Sequence, residues 1–205
     1  MTVGNTSDLL SSLMSQLGGG GVDQIARSVG VSDGDVTNVL AGALPAMMAG
    51  LTRNAASSGG ASALLGALDR DHDGSVLDDV MGFLGGGGNT SAGAGILAHV
   101  FGGRQATVEQ AVSQSSGVDM GSVTKIMAMV APLIMGSLGK AKRQQGFDAS
   151  GLAAALGQQE QAARKASPSA VDMFSSLLDG DGDGNSMNDM VKMGAGLLGG
   201  LFGGK

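Results

Sequence analysis

Cysteine is absent from the chain, which excludes disulfides, thiolate metal sites and cysteine nucleophiles together. Tryptophan and tyrosine are absent too, and five phenylalanines are the whole aromatic content. The core must therefore be filled by Leu, Val, Ala and Met, and the 13 methionines supply side chains that adapt to irregular gaps. No run of about 18 apolar residues is free of glycine or charge, so no membrane span is predicted. Residues Met1 to Leu17 lack a basic stretch followed by a continuous apolar run, so no Sec-type signal peptide is expected. The expected location is the cytoplasm, with export by another route left open. Positive charge is also scarce: 12 Lys and Arg against 18 Asp and Glu give a net charge of -6. That balance opposes general attraction to nucleic acid or anionic lipid.

Glycine, by contrast, occurs 38 times without the every-third-residue period of collagen, and so marks joints, caps and close helix contacts. The 205 residues are enough for one or two domains with a real core. An internal repeat organises them. Gly30, Val36, Pro45, Met48 and Leu51 recur 87 residues later as Gly117, Val123, Pro132, Met135 and Leu138. Acidic clusters also recur: Asp69, Asp71, Asp73 and Gly74 match Asp179, Asp181, Asp183 and Gly184 at a larger offset. The second copy must then carry 23 extra residues, placed between Lys140 and Ser169. The division expected is a first copy over 1–88, a second over 89–192 with its insertion at about 140–169, and a Gly-rich apolar tail over 193–205.

Within each copy the apolar residues follow helical rather than alternating spacing, and no strand run is visible. Asp8 can cap a first helix ending at the glycines 18–21, and a short helix over Asp23 to Val29 ends at Gly30. Ser32 and Asp35 form a capping box for a helix over Val36 to Leu51 that contains Pro45. Ser62 to Leu68 leads into the acidic loop and Leu77 to Leu84 leaves it. In the second copy Thr107 and Asp119 are the expected caps. The fold class is all-α: two tandem helical units, each with an EF-hand-like acidic loop.

The first loop places Asp69, Asp71 and Asp73 at positions 1, 3 and 5 and Gly74 at position 6. Ca²⁺ takes six to eight hard oxygens, and alternating carboxylates followed by a glycine turn bring such oxygens to one point. The carbonyl of Ser75 would be the position 7 ligand, but position 12 is Val80 rather than Glu. Asp78 and Asp79 stand at positions 10 and 11. The second loop repeats this with Asp179, Asp181, Asp183, Asn185 and Asp189, and has Asn188 at position 10. Asp79 and Asp189 are therefore the closing carboxylates of two shortened calcium sites. Their dissociation constants are expected at roughly 10⁻⁵ to 10⁻³ M.

With the repeat, the Pro-containing helices and the Asp-x-Asp-x-Asp-Gly loops in view, nearly the whole chain resembles the bacterial YidB-like family of unassigned function. The resemblance implies a helical, homeodomain-like unit repeated in tandem. It also implies acidic loops followed by an Asp pair, which points here to Asp69, Asp71, Asp73, Asp78 and Asp79. The second loop departs from that pattern at Asn188.

Residues 25–40 also resemble a helix-turn-helix, the basis of an alternative reading as a nucleic-acid-binding regulator. Its second helix, however, opens on Ser32, Asp33, Gly34 and Asp35, and phosphate contact needs the opposite charge. His72 reads as a solvated loop residue and His99 as an interior or boundary histidine, and no spacing singles out a catalytic triad. Lys140, Lys142 and Arg143 read as the C-terminal end of a helix, where cations complement the dipole. Met127, Met129 and Met135 read as core. The expected function is a non-enzymatic, calcium-binding structural or interaction protein. It should associate with copies of itself through apolar helix faces and the C-terminal tail.

Overall fold

The computed structural model describes residues 17–166 apart from 58, 72 and 73, and the first helix, the second acidic loop and the tail lie outside these. Among the described residues there is no strand. A π turn, Leu17–Gly21, runs into α1 (Val22–Val29), followed by α2 (Asp33–Ala56), α3 (Gly60–Arg70), a 3₁₀ turn at Ser75–Leu77 and α4 (Val80–Gly85). The second copy contributes α5 (Thr90–Phe101), a 3₁₀ turn at Gly102–Arg104, α6 (Gln105–Ser116), α7 (Met120–Gln145) and α8 (Ala149–Ala166).

The duplication is visible joint by joint. Gly30 ends α1 and Gly117 ends α6, both left-handed with φ of 85° and 73°, a conformation that favours glycine because it has no Cβ. Ser32 then caps α2 through the Asp35 amide, and Asp119 caps α7 through the Ser122 amide. Pro45 and Pro132 occupy the same place inside the two long helices. Buried positions also correspond: Ile25 and Val112, Val36 and Val123, and Val39 and Ile126 are all 0% exposed. Gly59 and Gly146 extend the match, with φ of 77° and 67°. The correspondence between the copies thus extends to Gly146.

Several local expectations change. Leu17 and the glycines 18–21 form a π turn that continues into α1, while the helix expected after Asp8 lies outside the described residues. Thr107 does not cap α6. The preceding 3₁₀ turn hands the chain directly to Gln105, so Thr107 lies inside the helix and Arg104 takes the cap position with no side-chain bond. The exit from the acidic loop is not one helix over Leu77 to Leu84. Asp79 breaks it by accepting the Gly82 amide at 2.8 Å, so α4 starts at Val80.

Three aspartates at helix starts are held below the ordinary carboxylate value of 3.8. The Ser32 hydroxyl and amide lower Asp35, the Ser122 hydroxyl and amide lower Asp119, and the Gly151 amide with the Ser150 hydroxyl lowers Asp148. A carboxylate with a depressed folded-state pKa adds stability that is full above its unfolded value and disappears as pH falls through the folded value. Replacing all three by Asn keeps a capping oxygen but removes that titration. The variant's melting temperature should fall less than that of the native chain between about pH 4 and about pH 2, as followed by circular dichroism.

The two copies do not form separate cores. α2 packs against α6 and α8 of the second copy as well as against its own α1 and α3, while α7 packs against α1 and the Ser75–Leu77 turn of the first. One apolar cluster joins them, running from Ile25 and Leu40 to Ile126, Leu133 and Leu152. α7 is long and apolar enough by composition to cross a membrane, yet 72% of its most apolar window is buried among the other helices. Met127, Met129 and Met135 lie in this core as expected. Glu109 and Gln159 are the buried polar side chains among the described residues, and of the two Glu109 is acidic. Only 5% exposed, it accepts from Gln105 Nε2 and Thr124 Oγ1, each at 2.7 Å, which satisfies its oxygens inside the bundle.

Candidate metal-binding loop and the groove beside it

α3, the acidic loop and α4 make a helix–loop–helix. Asp69 lies in the last turn of α3, and Asp71 is its C-terminal cap with its amide on Ala67 O at 3.0 Å. Gly74 is left-handed with φ of 95° and ψ of -1°, the sharp turn that the sixth loop position calls for. The 3₁₀ turn follows, closed by Leu77 N–H to Gly74 O and Asp78 N–H to Ser75 O, both at 3.0 Å. Asp79 then faces the start of α4 through Gly82. Asp73 and His72 lie outside the described residues, as do Asp179, Asp181, Asp183, Asn185 and Asp189. Among the described residues no three His, Cys, Asp or Glu side chains come together as a metal-holding group.

The loop rests on the C-terminal half of α7. A Cβ on Gly136 would lie 2.5 Å from Val76 Cγ1, so the 3₁₀ turn packs closely over α7 at this glycine. Beyond it, the predicted basic group is at the end of α7. Lys142 Nζ is ion-paired with Asp69, and a Cβ on Gly74 would lie 3.1 Å from Lys140 Cβ and 3.2 Å from Arg143 Nη2. The cations thus offset the loop's acidic charge as well as the helix dipole. Lys142 and Asp69 are 73 residues apart, and no local pattern announces their meeting.

Asp71 also stands where two cavities meet. One, of about 150 Å³, lies beneath the loop between Val76, Phe83 and Pro132. The other is a groove of about 730 Å³ between α3 and α5, floored by Leu51 and Met135 and walled by Leu64 and Ile96. Its rim carries Arg70, Asp71 and His99. His99 is exposed rather than interior, and its Nδ1 lies 2.8 Å from Gly95 O within its own helix.

In the helix-turn-helix segment, α2 is buried along most of its length from Val36 to Ala55. Its exposed opening carries Asp33, Gly34, Thr37 and Asn38, with no basic residue among them.

The molecule is thus a bundle of duplicated helical units with an acidic helix–loop–helix joint. The profile of a family described as bacterial protein of unknown function (DUF937) matches residues 11–141 and again 140–205. The chain belongs to that family, consistent with the YidB-like resemblance of its repeat and loops. The two matches meet within α7 rather than at the start of the second copy. Comparison with curated proteins and with solved structures gives no match.

Proposed function

We propose that this is a non-enzymatic, calcium-binding structural or interaction protein whose two acidic loops are EF-hand-like sites in homeodomain-like helical units. The observation that carries the reading is the left-handed Gly74 between the Asp-bearing end of α3 and the start of α4 at Asp79. That turn is what an oxygen-lined loop needs to fold its carboxylates and the Ser75 carbonyl around one cation. Asp69, Asp71, Asp73, Ser75, Asp78 and Asp79 form the first site, and Asp179, Asp181, Asp183, Asn185 and Asp189 the second. Calcium would fix α4 relative to α3 and so stiffen the joint between the copies. At the first site a cation would have to displace Lys142 from Asp69, an ion pair that supports weak rather than tight binding there. Copies would associate through apolar helix faces, where Met81 and Met120 are the large apolar side chains exposed among the described residues.

Calorimetric titration of calcium into chelator-treated protein tests the reading, alongside Asp71→Ala/Asp181→Ala. Binding near two equivalents is expected, with each site adding about 2.7 kcal/mol of stability at one hundred times its dissociation constant. Both effects should vanish in the double variant. Absence of heat and of any melting shift at about millimolar calcium would reduce the loops to turns.

A further inference from the structure

The groove between α3 and α5 is apolar along its floor and walls, yet no described segment fills its volume of about 730 Å³. Its walls are built largely from small side chains, Ala63 and Ala67 on one side and Ala92 and Gly95 on the other, which let another backbone come close. Asn54, Ser57, Arg70, Asp71, Asn89 and His99 belong to its lining too, so an occupant need not be wholly excluded from water, while the apolar stretch between them favours an apolar, uncharged one. α3 lines the groove from Gly60 to Arg70, a distance of about 15 Å at the rise of an α-helix.

We infer that the groove is the docking site of the chain's own segment Leu197–Phe202, held in cis. Chemistry selects this segment: Leu197, Leu198, Leu201 and Phe202 provide apolar side chains without charge, and Gly199 and Gly200 between them let the backbone lie against alanine walls. Extended, the six residues cover about 20 Å, the scale of the α3 wall. Chain length permits the return. α8 packs on α2, where Thr52 Oγ1, beside the groove-lining Leu51 in sequence, donates to Leu156 O at 3.3 Å, and it ends at Ala166. From Leu156 to Ala166 the helix advances about 15 Å. The 30 residues from 167 to 196 would span up to about 100 Å if fully extended, long enough for the segment to return to the groove. Because the segment belongs to the same chain, docking in cis does not depend on protein concentration, whereas docking from a second copy does. The inference goes beyond calcium binding and does not rest on it. It leaves association between copies to the helix faces.

The absence of native cysteine makes a disulfide test clean. Ala92→Cys paired with Leu198→Cys in the full chain places one thiol on the groove wall and one in the segment. Gln145→Cys paired with Leu198→Cys is the control, because Gln145 is exposed at the end of α7 and does not line the groove. Under mild oxidation in dilute solution, the groove pair should close within one chain about tenfold faster than the control, at a rate independent of protein concentration. Peptide mass spectrometry identifies the link. Links between chains, equal rates for the two pairs, or no link at all would each overturn the assignment.

Discussion

Gly93→Ala should cost the protein about 3 kcal/mol or more, a large share of the roughly 5–15 kcal/mol that holds such a domain together. Gly93 lies in α5 where that helix crosses α7, and a Cβ there would fall 1.7 Å from Ala128 O and 2.5 Å from Ala128 C. Both are backbone atoms of a buried helix, so no rotamer change can relieve the clash and the two helices must separate. The place of the crossing has a chemical origin. Pro132 has no N–H to return to the carbonyl four residues back, which is that of Ala128. The proline thus frees an oxygen of α7 from the usual helical bond, and the glycine of α5 lets its backbone approach that oxygen. Gly66→Ala is the matched control. Nothing lies within 4 Å of the Cβ it would add in α3, so the same substitution should raise stability by about 0.5–1 kcal/mol through the lower backbone entropy of Ala. Urea unfolding of both variants should therefore move their midpoints in opposite directions. Equal shifts would mean that α5 and α7 do not cross at this glycine.

Much of the helical framework is legible in the sequence because its signals are local. Ser32 and Asp35 announce the start of α2, Gly30 and Gly117 mark two helix ends, and the proline spacing reveals the duplication. The candidate loop is legible for the same reason, since a run such as Asp69 to Gly74 carries its chemistry within six residues. What is not legible is which copy each helix packs against. Every residue of α7 from 126 to 136 is buried, so there is no single apolar stripe from which to read a partner. α2 is nearly as uniform, and a pattern that is apolar on all sides suits a self-contained unit and an interlocked pair equally. The pairing of Asp69 with Lys142 is a product of that interlocking, whereas the bond from Thr124 to Glu109 joins α6 and α7 within the second copy. Helix boundaries fail where a neighbouring turn takes over the capping: Thr107 has good capping chemistry, but the turn at Gly102–Arg104 starts α6 before it.

The interlocking itself leads to the second large effect: a fragment ending at residue 88 should show no cooperative unfolding as a monomer. In the intact chain α2 is covered by α6 and α8, and the fragment removes both along with α5 and α7. Met47 at 2% exposed, Leu44 at 5% and Ala46 at 0% belong to a helix that would lose most of its partners. Each large apolar side chain returned to water costs about 1.5–3 kcal/mol, so a few of them offset the whole stability of a small domain. The repeat also predicts how the fragment would be rescued. α2 packs on α6 of the second copy while α7 packs on α1 of the first, so the exchange is reciprocal and two first copies could cover one another in the same way. Helicity and a melting transition should then appear as the fragment's concentration rises, in step with a dimer detected by sedimentation. A melting transition that is already cooperative and independent of concentration in the monomer would show that the first copy supplies its own core, and that the contacts of α2 with α6 and α8 add to a fold complete without them.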